Sequence, residues 1–233
     1  MTDRPTDPSA AAMRGVNTYW RALDTDAIAR GAHRELVGGL WDAIGRLQFE
    51  FLIGAGLQPH HRLLDVGCGA LRGGVHFVGY LDPGHYAGID ANASLLEAGK
   101  QELAAAGLAD RGAHLIANAD FDVGRFGQRF DFALAVSLFT HLYLNHIQIC
   151  LTRVAAVLAP GGRFHATFFE APTPAHVAPI TQMPGGQVTH YAADPFHQSF
   201  RELATLAKNA GLVAERIGDF EHPRAQRMIA FHT

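Results

Sequence analysis

The stretch Leu63-Leu64-Asp65-Val66-Gly67-Cys68-Gly69-Ala70-Leu71-Arg72-Gly73-Gly74 decides how the chain is read. Its first residues form a short apolar run with the pattern of a buried strand, and the glycines that follow break the strand into a sharp turn. Gly67 and Gly69 have no Cβ, so the backbone can bend tightly there and come close to a ligand. A helix start after such a turn offers free N–H groups and a partial positive charge. The next apolar run, His85-Tyr86-Ala87-Gly88-Ile89-Asp90, ends in an acid 21 positions beyond Gly69. In an open α/β sheet, a carboxylate at that place reaches a nucleoside ribose and accepts hydrogen bonds from its hydroxyls. A dinucleotide fingerprint has its third glycine three positions after the second. Here that position is Arg72, and Gly73-Gly74 follow one step later, so the turn departs from the dinucleotide pattern.

Outward from this turn, short apolar runs alternate with helical stretches. Further strands are expected at 114–117, 130–137, 163–169, 213–218 and 226–231, and helices at 93–106, 142–158 and 200–210. The alternation predicts a parallel α/β sheet. No helix separates the last two strands, so one of them is expected to run antiparallel. Upstream, residues 1–12 carry Pro5, Pro8 and small or polar residues and are expected to form a mobile tail. Residues 13–57 are expected to form a helical cap, weakly patterned over Met13–Arg30. The pattern is stronger over Leu40–Leu57, where Leu40, Trp41, Ile44, Leu47, Phe51 and Leu52 recur at three- and four-residue steps. The segment 171–197 holds five prolines and no clear periodicity, which predicts a long functional loop.

The 233 residues suit one large domain or two small ones, and 48% hydrophobic against 18% charged residues allow a sizeable core. Lys+Arg 19 against Asp+Glu 22 gives a formal charge of −3, which argues against a nucleic-acid backbone as partner. No run approaches the ~20 apolar residues of a membrane span, and the N-terminal residues lack the pattern of a secretory signal. Cys68 and Cys150 are too few for a disulfide framework or a cysteine zinc site. A cytoplasmic, reducing location is the expectation.

The runs LLDVGCG (63–69), GID (88–90), NADF (118–121), FDFALAVSLFTHL (130–142) and LAPGGRFHATFFE (158–170) resemble the successive motifs of class I S-adenosylmethionine-dependent methyltransferases. They stand in the family's order. The resemblance implies a Rossmann-like, doubly wound sheet of seven strands over 58–233, mostly parallel with an antiparallel last strand and helices on both faces. It implies S-adenosyl-L-methionine as cofactor. Asp65, Gly67, Cys68 and Gly69 would line its methionine part. Asp90 would hold the ribose, with Ala91 beside it. Asp120 would take the adenine amine, Phe121 would pack on the ring, and Ser137 would sit near the sulfonium. Segments 38–52, 71–86 and 218–228 are similar to bacterial methyltransferases of sugar and polysaccharide modification, the mycobacterial methylmannose-polysaccharide type being nearest.

Methyl transfer is an in-line displacement, so the protein must mainly align an acceptor. An alcohol acceptor must also lose its proton, and histidine, with an unperturbed pKa of about 6.5, suits that work. Ligands bind beyond the carboxyl ends of parallel strands, which narrows the 14 histidines. His141 is the first choice for base, with a helix-start histidine that caps or packs as the plain alternative. Glu170 is the second choice, as base, orienter or metal ligand, against a surface carboxylate. Arg72, His190, Tyr191, His222 and Arg224 are the acceptor-binding candidates, and the two arginines could equally meet the cofactor carboxylate or only solvent. No histidine pair has metal-ligand spacing, but Glu170, Asp219 and Glu221 offer oxygen ligands for Mg²⁺.

The leading expectation is an O-methyltransferase for a small molecule, with a sugar or oligosaccharide hydroxyl as acceptor. Methylation of a peptide or natural-product carboxylate or amine, and cofactor binding without catalysis, are the competing readings. The helical region around Trp20 and Trp41 would cap the acceptor pocket, mediate a homodimer, or simply pack on the sheet.

Overall fold

The computed structural model describes residues 18–233. The expected tail 1–12 and the first residues of the 13–57 segment lie outside them. After a 3-10 turn at Thr18–Trp20, three helices follow: α1 (Thr25–Ala29), α2 (Ala32–Leu36) and α3 (Trp41–Gly54). The sheet region runs β1 (Leu63–Val66), α4 (Gly74–Tyr80), β2 (Tyr86–Asp90), α5 (Ala93–Ala105), β3 (His114–Ala117), β4 (Phe130–Ala135), α6 (Leu144–Val157) and β5 (Leu158–Ala171). Then come β6 (Ile180–Gln182), β7 (Gln187–Thr189), β8 (His197–Ser199), α7 (Phe200–Asn209), β9 (Val213–Asp219) and β10 (Arg227–His232).

The strands order as β3-β2-β1-β4-β5-β10-β9. Strands β1 to β5 pair in parallel, while β10 pairs antiparallel to both β5 and β9. This is the expected doubly wound sheet with its antiparallel last strand, enlarged by β8, which adds in parallel to β5. Alternating side chains leave each strand on opposite faces. On one face Leu64, Val66, Ala87 and Ile89 pack with Ile147, Leu151 and Val154 of α6 and Leu203 and Ala207 of α7. On the other face Leu63 and Tyr86 pack with Leu52 of α3, Phe77 of α4 and Leu103 of α5.

Two departures from the sequence reading have clear causes. Pro160-Gly161-Gly162 does not separate helix from strand. Leu158 is already in register with Phe130, both fully or almost fully buried, so α6 passes directly into β5, with a register irregularity absorbing the turn residues. The 171–197 segment is not structureless either. It holds the β6–β7 hairpin and leads into β8, and its interior is polar. The Gln182 amide donates to Thr189 Oγ1 (3.1 Å), Thr189 Oγ1 meets His197 Nδ1 (3.0 Å), and the other imidazole nitrogen of His197 meets the His176 carbonyl (2.7 Å). Helix α7 starts with a capping box between Ser199 and Glu202.

No helix among the described residues is long and apolar enough to cross a membrane.

Candidate active site

A cavity opens at the carboxyl ends of β1, β2 and β4. Gly67 and Gly69 have left-handed backbones, at φ +73° and +55°, and a Cβ on Gly67 would lie 2.9 Å from the Leu138 side chain. The glycine turn and the acid of β2 are joined directly. The Gly69 N–H donates to Asp90 Oδ2 (2.9 Å) and the Asn92 N–H to Oδ1 (2.8 Å). Burial raises the Asp90 pKa, and these two backbone bonds oppose the rise. Asp65 is buried beneath the turn and accepts the Tyr86 hydroxyl at 2.7 Å. Burial pushes its pKa up to about 7, with Asp90 adding to the rise and Tyr86 and Arg72 opposing it.

Ala91, Cys68, Phe121 and Ser137 also line the cavity. The turn after β3 folds on Asn118, whose side-chain oxygen accepts the N–H groups of Asp120 (3.2 Å) and Asp122 (2.9 Å). Asn118, Ala119 and Phe121 line the cavity, but Asp120 does not. Ser137 is tied to the neighbouring strand β5 and to the residue before β10. Its N–H donates to Thr167 Oγ1 (2.7 Å), the Gln226 amide donates to Ser137 Oγ (3.0 Å), and Thr167 Oγ1 donates to Gln226 Oε1 (2.6 Å).

The N-terminal residues reach over this cavity, where Tyr19, Trp20 and Val37 line it. Asn92, at the start of α5, donates to the carbonyls of Tyr19 (2.6 Å) and Arg21 (3.0 Å), and the Leu23 N–H donates to Ser94 Oγ (2.9 Å). Hydropathy carries no trace of these contacts, because they run from side chains to backbone.

His141 lines the cavity at the end of a 3-10 turn after β4. Its Nδ1 meets the carboxylate of Asp194, and its ring lies 4.6 Å from that of Tyr19. Asp194 was not among the sequence candidates. It arrives from the 171–197 segment, which is stitched to the His141 turn: the Phe196 N–H donates to the Thr140 carbonyl (2.7 Å) and the Gln198 amide to the Phe139 carbonyl (3.1 Å).

The acceptor-side candidates divide. Arg72 lines the cavity and donates to the carbonyls of Val37 and Gly39, while Arg224 donates to the carbonyl of Gly38. Burial lowers the Arg72 pKa to about 10, with Arg224 adding to the effect. His222 is buried, and its Nδ1 accepts the Arg224 N–H at 3.2 Å. His190 and Tyr191 are half-buried on the insertion and stay outside the cavity lining.

Glu170 is paired with Arg216 of β9 and also stays outside the lining. Asp219 pairs with Arg227 at 2.8 Å and accepts the Glu221 N–H at 2.9 Å. Of the carboxylates put forward for Mg²⁺, Glu170 and Asp219 thus each pair with a different arginine. Among the described residues, no group of three His, Cys, Asp or Glu is arranged to hold a metal ion.

Residues 64–164 match a family model described as a methyltransferase domain. Similar solved structures include the CcbJ methyltransferase from Streptomyces caelestis, at 16% identity and TM-score 0.62, covering 81% of this chain and 89% of that one. Magnesium protoporphyrin IX methyltransferase (ChlM) from Synechocystis PCC 6803 with bound SAH has 13% identity and TM-score 0.64, over 96% and 98% of the two chains. The glycopeptide N-methyltransferase MtfA, complexed with S-adenosyl-L-methionine, has 15% identity and TM-score 0.59, over 80% and 93%. At these identities the likeness speaks for the fold. The chain thus has the Rossmann-like α/β fold of these methyltransferases, and its central segment resembles a methyltransferase domain over residues 64–164.

Proposed function

We propose that the chain is an S-adenosylmethionine-dependent O-methyltransferase for a small molecule, with a sugar or oligosaccharide hydroxyl as acceptor. The observation that carries the O-methyl reading is the His141–Asp194 pair at the cavity wall. An alcohol needs a base at the moment of attack, and a histidine oriented by a carboxylate is suited to that task.

The residues fit the cofactor. Asp90 has each oxygen fixed by one backbone N–H and retains lone pairs for the ribose hydroxyls. Asp65 offers negative charge to the methionine end, and the bare glycine turn leaves room for that chain. Phe121, in the cavity wall, would pack on the adenine ring. When bound, the cofactor supplies a methyl group on a sulfonium sulfur that leaves as a neutral thioether.

His141 would take the acceptor proton, and the methyl group that the bound cofactor would supply goes to the acceptor oxygen. The products are a methyl ether, the demethylated cofactor and one proton, held on the imidazole and then released. Asp194 holds the ring's orientation and stabilises the imidazolium. The residues 18–23 and the 171–197 insertion close over the reaction and exclude water.

The likeness of 38–52, 71–86 and 218–228 to sugar-modifying methyltransferases supports the acceptor class. The test is incubation with methyl-labelled cofactor and a panel of oligosaccharides, phenols, amines and carboxylic acids, with products identified by mass. Methyl ethers on glycans are expected. Reaction confined to amines, acids or phenols would reject the sugar assignment. Asp90→Ala is expected to abolish cofactor uptake in calorimetry.

A further inference from the structure

Three segments distant in sequence meet beside the cavity: the Gly38-Gly39 turn, Arg72, and the loop His222-Pro223-Arg224. Arg72 Nη1 donates to the carbonyls of Val37 (3.1 Å) and Gly39 (3.0 Å), and Arg224 Nη2 donates to the Gly38 carbonyl between them (2.5 Å). Two guanidinium groups are thereby gathered onto three successive carbonyls. Arg72 is only 8% exposed, and no ion pair among the described residues includes either arginine. Like charges placed side by side in a partly dry region repel unless an anion joins them.

Two donors at this place also lack acceptors. Arg72 Nε is buried without a partner. His222 receives the Arg224 N–H on Nδ1, so the neutral ring carries its proton on Nε2, and Nε2 is buried without a partner too. Burial first, and then the charges of Arg72 and Arg224, push the His222 pKa down to about 4, which keeps it an uncharged donor at neutral pH. Buried donors without acceptors are costly, and each one in a folded protein calls for an explanation.

The geometry points to an oxyanion subsite, formed by Arg72, Arg224 and His222, that takes a carboxylate or phosphate group carried by the acceptor. A planar guanidinium fork matches either group. The inference rests on the methyltransferase reading above and adds a charge to the acceptor. Tyr19 connects the subsite to the reaction centre, because its ring packs against His141. Burial raises the Tyr19 pKa, Asp194 adds to the rise, and Arg224 and Arg72 oppose it, so one phenol lies within electrostatic reach of both places. An acceptor anchored on the guanidinium pair thus presents a neighbouring hydroxyl to His141. Among sugars, a uronate or a sugar phosphate has that combination of groups.

The test uses the full chain saturated with SAH, titrated with D-glucuronate, glucose 1-phosphate or glucose at constant ionic strength. At least one anionic ligand is expected to bind 10-fold or more tighter than glucose, and the stronger of the two identifies the anion. Arg224→Gln is expected to erase the preference while SAH affinity stays within twofold, with Arg224→Lys intermediate. Equal binding of all three ligands would overturn the proposal. So would anion binding that SAH displaces, or a tenfold loss of SAH affinity in Arg224→Gln, since both assign the arginines to the cofactor's own carboxylate. A chain that fails to bind SAH at all removes the methyltransferase reading itself, and this inference with it.

Discussion

The carboxylate of Asp194 meets His141 Nδ1 across 53 positions of sequence, bringing the 171–197 insertion to the end of β4. In the proposed reaction Asp194 is a positioning residue. Asp194→Asn is expected to lower kcat about 10²-fold, with KM and SAH affinity within a factor of two or three. Asp194→Glu is expected to recover part of the loss. An Asp194→Asn enzyme with unchanged kcat would remove His141 as the base.

Cofactor binding is expected to expel a proton. Burial holds the Asp65 carboxyl up at about 7, so part of the population is neutral near pH 7. The cationic methionine end of the cofactor favours the charged carboxylate, and the proton must leave when it binds. Affinity is therefore expected to rise with pH up to about 7 and then level off. Calorimetry in two buffers of different ionisation enthalpy measures the release directly, and Asp65→Asn should abolish it.

Gly67 and Gly54 make a matched pair for substitution. Alanine at Gly67 must hold φ +73° and press on Leu138, which lines the cavity. A left-handed alanine costs about 1–2 kcal/mol, and SAH affinity is expected to fall at least tenfold. Alanine at Gly54 meets nothing within 4 Å at the end of α3. There it is expected to stabilise by up to ~1 kcal/mol without touching affinity. Denaturant midpoints and SAH titrations of both variants check the contrast.

His165 is expected to make the protein acid-sensitive. It is buried against Phe51 and Phe132, and burial, with a smaller push from Arg163, lowers its pKa to about 4. The unfolded chain takes up this proton near the ordinary histidine pKa, while the folded chain does not until about 4. Stability should therefore fall as pH drops through that window, by on the order of 2–3 kcal/mol at its lower end. His222 acts in the same direction. His165→Leu should flatten part of the slope between pH 7.5 and 4.5, read from urea midpoints. An unchanged slope would mean that the imidazole titrates normally in the fold.

The sheet was legible in sequence because its strands are apolar and their punctuation is strong. Strand β3 falls at 114–117 as expected, and the other strands of the main sheet except the unexpected β8 differ only at their ends, by a residue or two apart from the early start of β5. The place of Asp90 at the end of the second strand was legible from the pattern, whereas its direct bond to the Gly69 N–H appears only in the structure. The insertion was illegible for the opposite reason. Its interior is built from Gln182, Thr189 and His197, which a hydropathy pattern reads as surface. Asp194 could not be found because it pairs over a long loop, and an acid among prolines carries no local signature. Glu170 looked functional from its place at the end of β5, but Arg216 on β9 reaches it through the neighbouring strands, a relation that only sheet order reveals.

The hydrogen bonds from Phe196 to Thr140 and from Gln198 to Phe139 have a consequence for engineering. Proteins that carry their selectivity on an independent flap can exchange it and keep their chemistry. Here the flap that would recognise the acceptor also aligns the imidazole. A chimera bearing a foreign 171–197 segment should lose turnover together with selectivity, unless it restores an acid at position 194. Changes in acceptor range would therefore have to arise by small substitutions within the flap, and wholesale replacement should be disfavoured.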